Sequence, residues 1–123
     1  MGAGSVDRRR GRRAAVQAPV VIRQIGSSDL ASFKEEVTKN VSLAGVYFET
    51  EWPEAYTVND VLVASVSIPE SQTRLFPFTR VAGRGRVVRI SELSLGSSER
   101  RRAGIAVEFA QDVTALSALP SRG

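Results

Sequence analysis

Two groups of polar residues in this chain have types and spacing suited to chemistry. The first is the run Arg8-Arg9-Arg10-Gly11-Arg12-Arg13, an arm of guanidinium groups near the N-terminus. Each guanidinium is a planar five-donor fork that can hold a phosphate or the O6/N7 edge of guanine in bidentate fashion, and can also stack on a base. The second is Asn40-Val41-Ser42-Leu43-Ala44-Gly45, where Asn, Ser and Gly recur at i, i+2 and i+5. Asn and Ser bridge side chain to backbone in turns, and Gly takes the positive φ that a tight reversal often needs. Alone, these three would be formers of a turn between two strands. Read together with the arginines, they make a small polar platform under a basic arm. That pairing suits a ligand carrying both guanine and phosphate.

The elements that must position these groups show a period of two. Val16, Ala18, Val20 and Ile22 fall on one face of a first strand, and Pro19 suits an edge position or one where no donor is needed. Phe33 to Asn40 reads as a second strand, with Phe33, Glu35, Val37 and Lys39 on one side, ending in the Asn-x-Ser-x-x-Gly turn. Val46, Phe48 and Thr50 alternate with Tyr47 and Glu49 in a third. Asp60 to Ile68 places Leu62, Ala64, Val66 and Ile68 on one face of a fourth. Phe78 to Ile90 is a long fifth strand in which Gly83-Arg84-Gly85 suggests a bulge or sharp bend, of the kind a barrel needs at its corners. Gly104 to Phe109, with Ile105, Val107 and Phe109 inward, is the sixth. Asp112 offers an N-cap for a short helix over Val113 to Leu119, ending before Pro120 and expected to dock over one barrel end. Six half-polar strands in so short a chain predict an all-β fold, a small closed antiparallel barrel or a two-sheet sandwich, with one short C-terminal α-helix.

Composition narrows the function classes. The chain has 123 residues, enough for one core but not two. It has no Cys and no His, which removes disulfides, Cys/His zinc sites, thiol nucleophiles and imidazole chemistry. Nothing pairs carboxylates or lysines recognisably, so no catalytic residues and no cofactor are expected. The net charge of +4 is local: residues 7–13 hold five Arg and one Asp, leaving 12 basic and 12 acidic residues elsewhere. A nucleic-acid-binding protein more often spreads its charge over a face. One compact anionic site is the better match. No apolar run reaches the length of a membrane span or follows the arginines as in an export signal, so a cytoplasmic location is expected. The organisation expected is a disordered lead-in over 1–7, a basic arm over 8–15, a barrel with its helix over 16–119 and a tail over 120–123.

The two motifs, in this order and on this strand pattern, resemble the PilZ domain, a family of bacterial receptors for the second messenger cyclic di-GMP. Arg9 to Arg13 matches the family's Arg-x-x-x-Arg, and Asn40 to Gly45 matches its Asp/Asn-x-Ser-x-x-Gly. The segment Gly104-Ile105-Ala106-Val107-Glu108-Phe109 near the end matches as well. The resemblance spans about residues 8 to 119. It implies a split-barrel PilZ-type fold and a ligand, cyclic di-GMP, clamped by Arg9 and Arg13 and seated on Asn40, Ser42 and Gly45. Arg8 and Arg10 are further candidates, since the residue before Arg-x-x-x-Arg is associated in the family with ligand count. Arg8 there would favour a stacked pair. Asn40 in place of the commoner Asp lacks a carboxylate that would accept from guanine N1 and N2.

The resemblance further implies an arm that folds across the ligand and thereby signals to a protein partner. Two other readings stay open at this point. One is a small barrel that binds RNA or single-stranded DNA through the arm, with steep salt dependence. The other is a PilZ-like interaction module that has lost its ligand.

Overall fold

The computed structural model describes residues 14–25, 33–93 and 102–117. Within them the chain forms β1 (Pro19–Gln24), β2 (Phe33–Val41), β3 (Gly45–Thr50), β4 (Val61–Ser67), β5 (Phe78–Leu93), β6 (Arg102–Phe109) and β7 (Thr114–Ser117). Short 3₁₀ turns at Pro53–Ala55 and Glu70–Gln72 lie in the two loops that flank β4. All strand pairs are antiparallel, in the order β4-β1-β2-β3-β6-β5-β7. A further β4–β5 ladder, from Val61↔Arg86 to Ser67↔Arg80, joins the ends. The first six strands therefore close into a barrel, and β7 is laid on the outside edge of β5.

Period-two alternation carries the core as expected. Val16, Ala18, Val20 and Ile22 are buried, as are Leu62, Ala64, Val66 and Ile68 on β4. Val46, Phe48, Thr50, Ile105, Val107 and Phe109 complete the same interior. Tyr56 and Phe76, from the loops, join this cluster. On β2 the pattern is inverted relative to hydrophobicity. Phe33 and Val37 face solvent, whereas Glu36 and Thr38 point inward. Polar groups aimed at a core must be bonded, and both are. Thr38 Oγ1 donates to the Val16 carbonyl (2.6 Å) and accepts from Ala18 N (3.0 Å). The Glu36 carboxylate accepts from Thr50 Oγ1 (2.8 Å) and from Tyr56 Oη (3.0 Å).

Two expectations are corrected. Val113 to Leu119 is not helical in its described part, because Thr114–Ser117 is β7, paired with Phe78 to Ala82 of β5. The start of β5 has β4 on one side and would otherwise leave its other edge open. Edge backbone groups are satisfied by a partner strand, and this tertiary demand outweighs the local helix signal. Nor is there a bulge at Gly83-Arg84-Gly85, since the β4–β5 register runs through them unbroken. They mark the place where β5 exchanges neighbours, from β7 at Ala82↔Thr114 to β6 at Gly85↔Phe109. A Cβ on Gly83 would press on Val113 and one on Gly85 on Val107 and the Glu108 carbonyl, so both strands approach closely there. The register irregularities fall instead at Lys39, Thr79 and Val88.

Two stability outcomes follow. Thr38→Val keeps the shape but strands the buried Val16 carbonyl and Ala18 N–H, so it should destabilise the fold by about 1–3 kcal/mol in chemical denaturation. Burial and the neighbouring Glu36 carboxylate push the Tyr56 hydroxyl well above the ordinary tyrosine range. Its folded state thus holds the proton after the unfolded chain has released it near pH ~10. The stabilisation is complete below that value and is lost as pH rises above it. Denaturation midpoints should fall between about pH 9 and pH 11, and Tyr56→Phe should flatten that slope.

Candidate functional site

The residues of the Asn-x-Ser-x-x-Gly motif form one hairpin between β2 and β3. Asn40 lies one residue before the end of β2, Ser42 opens the loop and Gly45 begins β3. Ser42 is fully buried, and its hydroxyl accepts from Ala44 N (3.0 Å) and Gly45 N (3.1 Å). Its own N–H donates to the Gly45 carbonyl (2.9 Å). A short hydroxyl side chain is what this geometry requires, because it replaces backbone partners within a three-residue loop. The serine therefore shapes the turn from inside, with its acceptor capacity already in use.

Gly45 is held to glycine by packing. A Cβ there would overlap the carbonyl oxygen of Val107 on β6, so any side chain would lever β3 away from its neighbour. The Ala44 carbonyl next to it accepts from Phe109 N (2.7 Å), which ties the hairpin tip to the end of β6. Asn40 differs from both. It is half-buried, and its Oδ1 has no hydrogen-bond partner among the described residues although water does not reach it. An acceptor left bare in this way is uncommon and calls for a donor. The irregularity at Lys39, just before it, bends β2 where the side chain is presented.

Arg8, Arg9, Arg10 and Arg13 lie outside the described residues, but the root of their arm does not. Ala14 bridges Val41, with Ala14 N donating to the Val41 carbonyl (2.9 Å) and Val41 N to the Ala14 carbonyl (3.0 Å). Val41 sits between Asn40 and Ser42, so the arm leaves the barrel in the middle of the second motif. Three residues on, Gln17 exchanges two hydrogen bonds with the Gln72 side chain (3.0 and 2.8 Å). With the Thr38 bonds, the segment from 14 to 18 is fastened at three places.

Beside the hairpin a cavity of about 260 Å3 opens, lined by Ser42, Ala44, Gly45, Val88, Ala106 and Glu108 among others. Four of its lining residues, Ser42, Ala44, Gly45 and Ala106, are small. Val88 is the irregular residue of the β5–β6 ladder and reaches this cavity from the side. Sequence reading found the hairpin but not Val88, Ala106 or Glu108. Their outward direction was readable from alternation, but their nearness to Gly45 depends on the β3–β6–β5 pairing. No group of His, Cys, Asp and Glu suited to a metal ion exists among the described residues, and no helix in them is long and apolar enough to cross a membrane.

This division of roles has a measurable consequence. Ser42→Ala should cost about 1–3 kcal/mol of stability by leaving two turn N–H groups bare, and Gly45→Ala should cost at least as much through overpacking. Asn40→Ala should leave thermal stability nearly unchanged, because its buried oxygen has no bond to lose. Melting temperatures of the three variants would check the ordering.

A family model described as the PilZ domain matches residues 7–119. Among solved structures the chain is similar to the Bacillus subtilis inhibitor of motility (MotI/DgrA), with a TM-score of 0.53 and 17% identity. That likeness covers 80% of this chain and 42% of the other, so the chain spans less than half the length of that neighbour. At such identity it shows the shared fold alone. No curated protein matches the sequence. With a closed barrel and a family match across nearly all its residues, the chain belongs to the PilZ domain family.

Proposed function

We propose that this chain is a cyclic di-GMP receptor, using Arg9 and Arg13 as the clamp and the Asn40–Gly45 hairpin as the seat. The observation that carries the reading is the Ala14–Val41 bridge. It fastens Ala14, the residue that follows Arg13, to Val41 between Asn40 and Ser42 of the hairpin. Arginine forks would take the phosphates and the guanine O6/N7 edge. Asn40 Oδ1 would accept a donor from the ligand or from an arm guanidinium, which would relieve its present lack of a partner. Gly45, Ala44 and Ala106 would let a planar base lie close to the backbone. Ser42 contributes by holding the turn rather than by a free hydroxyl.

In this reading Arg8 and Arg10 extend the clamp, and Arg8 favours a second, stacked ligand. Ordering the arm across the ligand costs chain entropy, which the charged hydrogen bonds offset. The ordered arm then presents a new surface, and the output is a contact with a protein partner. No chemical step is involved, so the protein acts as a cytoplasmic receptor and not as an enzyme.

Calorimetric titration of cyclic di-GMP into the full chain tests this directly. Saturable binding at micromolar concentration or tighter is expected, with Arg13→Ala and Asn40→Ala each weakening it about tenfold or more. A short single-stranded RNA and GTP should fail to compete. Absence of heat and of any melting shift with cyclic di-GMP would sink the reading, and preferential binding of the RNA would replace it with the nucleic-acid alternative.

A further inference from the structure

Among the described residues that line the cavity beside the hairpin, Glu108 is the one ionisable side chain. Val107 and Phe109 are buried on either side of it, so strand alternation turns Glu108 outward. In register it stands opposite Gly45 on β3 and Arg86 on β5. The glycine side matters most. Gly45 puts no side chain beside Glu108 at this register position, and both residues line the cavity. The carboxylate makes no ion pair or hydrogen bond with the described residues. Its acceptor oxygens therefore remain available at the edge of the cavity.

We infer that Glu108 selects guanine in this site, its carboxylate accepting from N1–H and the N2 amine of a base seated against Gly45 and Ala106. The inference rests on the cyclic di-GMP reading above. The two adjacent donors of guanine match the two oxygens of a carboxylate in a bidentate, charge-assisted pair. Adenine presents an acceptor at N1 and no amine at C2, so the same carboxylate would face a lone pair. The motif itself offers only an amide at Asn40, and the Ser42 hydroxyl is occupied by the turn. A carboxylate for the Watson–Crick edge thus comes from a neighbouring strand, β6.

The test compares three ligands on the full chain by equilibrium titration: cyclic di-GMP, cyclic di-IMP, which lacks only the N2 amine, and cyclic di-AMP. The wild-type chain should bind cyclic di-GMP about tenfold or more tightly than cyclic di-IMP, and cyclic di-AMP more weakly still. Glu108→Gln should weaken cyclic di-GMP by about tenfold and bring the cyclic di-GMP and cyclic di-IMP affinities to within about threefold of each other. Glu108→Asp, which keeps the charge, should restore part of the preference, and the exposed position should leave the melting temperature of each variant close to wild type. Unchanged affinity and preference in Glu108→Gln would overturn the inference while leaving the receptor reading intact. Tighter binding of all three ligands would overturn it too, because it would mean that the carboxylate merely repels phosphate. If the wild-type chain takes up no cyclic di-GMP, both readings fall together.

Discussion

The ladder between β4 and β5 is the constraint on which the rest of the molecule depends. Without it the strands would be an open sheet with two exposed edges, and the inward faces would have nothing to close against. Closure is possible because β5 is sixteen residues long and serves three partners. Its first half lies between β4 and β7, and its second half lies against β6. The glycines at 83 and 85 let that change of neighbours occur without a side chain in the way. The β3–β6 and β6–β5 ladders set Gly45, Glu108 and Arg86 in one row across the surface of the closed barrel.

Polar groups inside the barrel do structural work that hydrophobic packing alone would not achieve. Thr38 fastens the segment that leads into β1, and Glu36 collects the hydroxyls of Thr50 and Tyr56. Tyr56 lies edge-on to Phe48, with ring centroids 5.5 Å apart, so this polar knot is sealed by aromatic contact. Both devices sit on β2, the strand that ends in the hairpin. The strand that carries Asn40 is thus anchored through its inward side chains, although its outward face has exposed Phe33 and Val37. Residues placed on a firmly held element keep their geometry without outside help.

Much of this was readable from residue order, and the reasons for success and failure are physical. The core positions of β1, β3, β4 and β6 were legible because a barrel wall is wet on one side, which forces strict alternation. The hairpin was legible because Asn, Ser and Gly have specific turn chemistry. The terminal segment was misread because a cap at Asp112 and a short apolar run are local signals, whereas the open edge of β5 is a distant one. The bends were misplaced for a similar reason. Glycine marks both bulges and close approaches, and only the neighbour, Val113 or Val107, tells which. Inward-facing Thr38 and Glu36 gave no sign in the hydrophobic pattern, and Glu108 looked like any solvated strand residue until β3 was laid beside it.

The bridge between Ala14 and Val41 has a kinetic meaning as well as a geometric one. It makes the arm a tether whose fixed end lies within the hairpin. A chain spans at most about 3.3–3.6 Å per residue, so Arg13 is confined to the immediate vicinity of Asn40, and Arg9 can stray no more than about 18 Å from Ala14. A guanidinium held on so short a leash acts as if present at millimolar concentration or above. In the proposed receptor, capture of a ligand first touched by the hairpin would be an intramolecular event, and release would require the arm to let go before the ligand could leave. Residence time, more than the rate of encounter, would be set by the arginines.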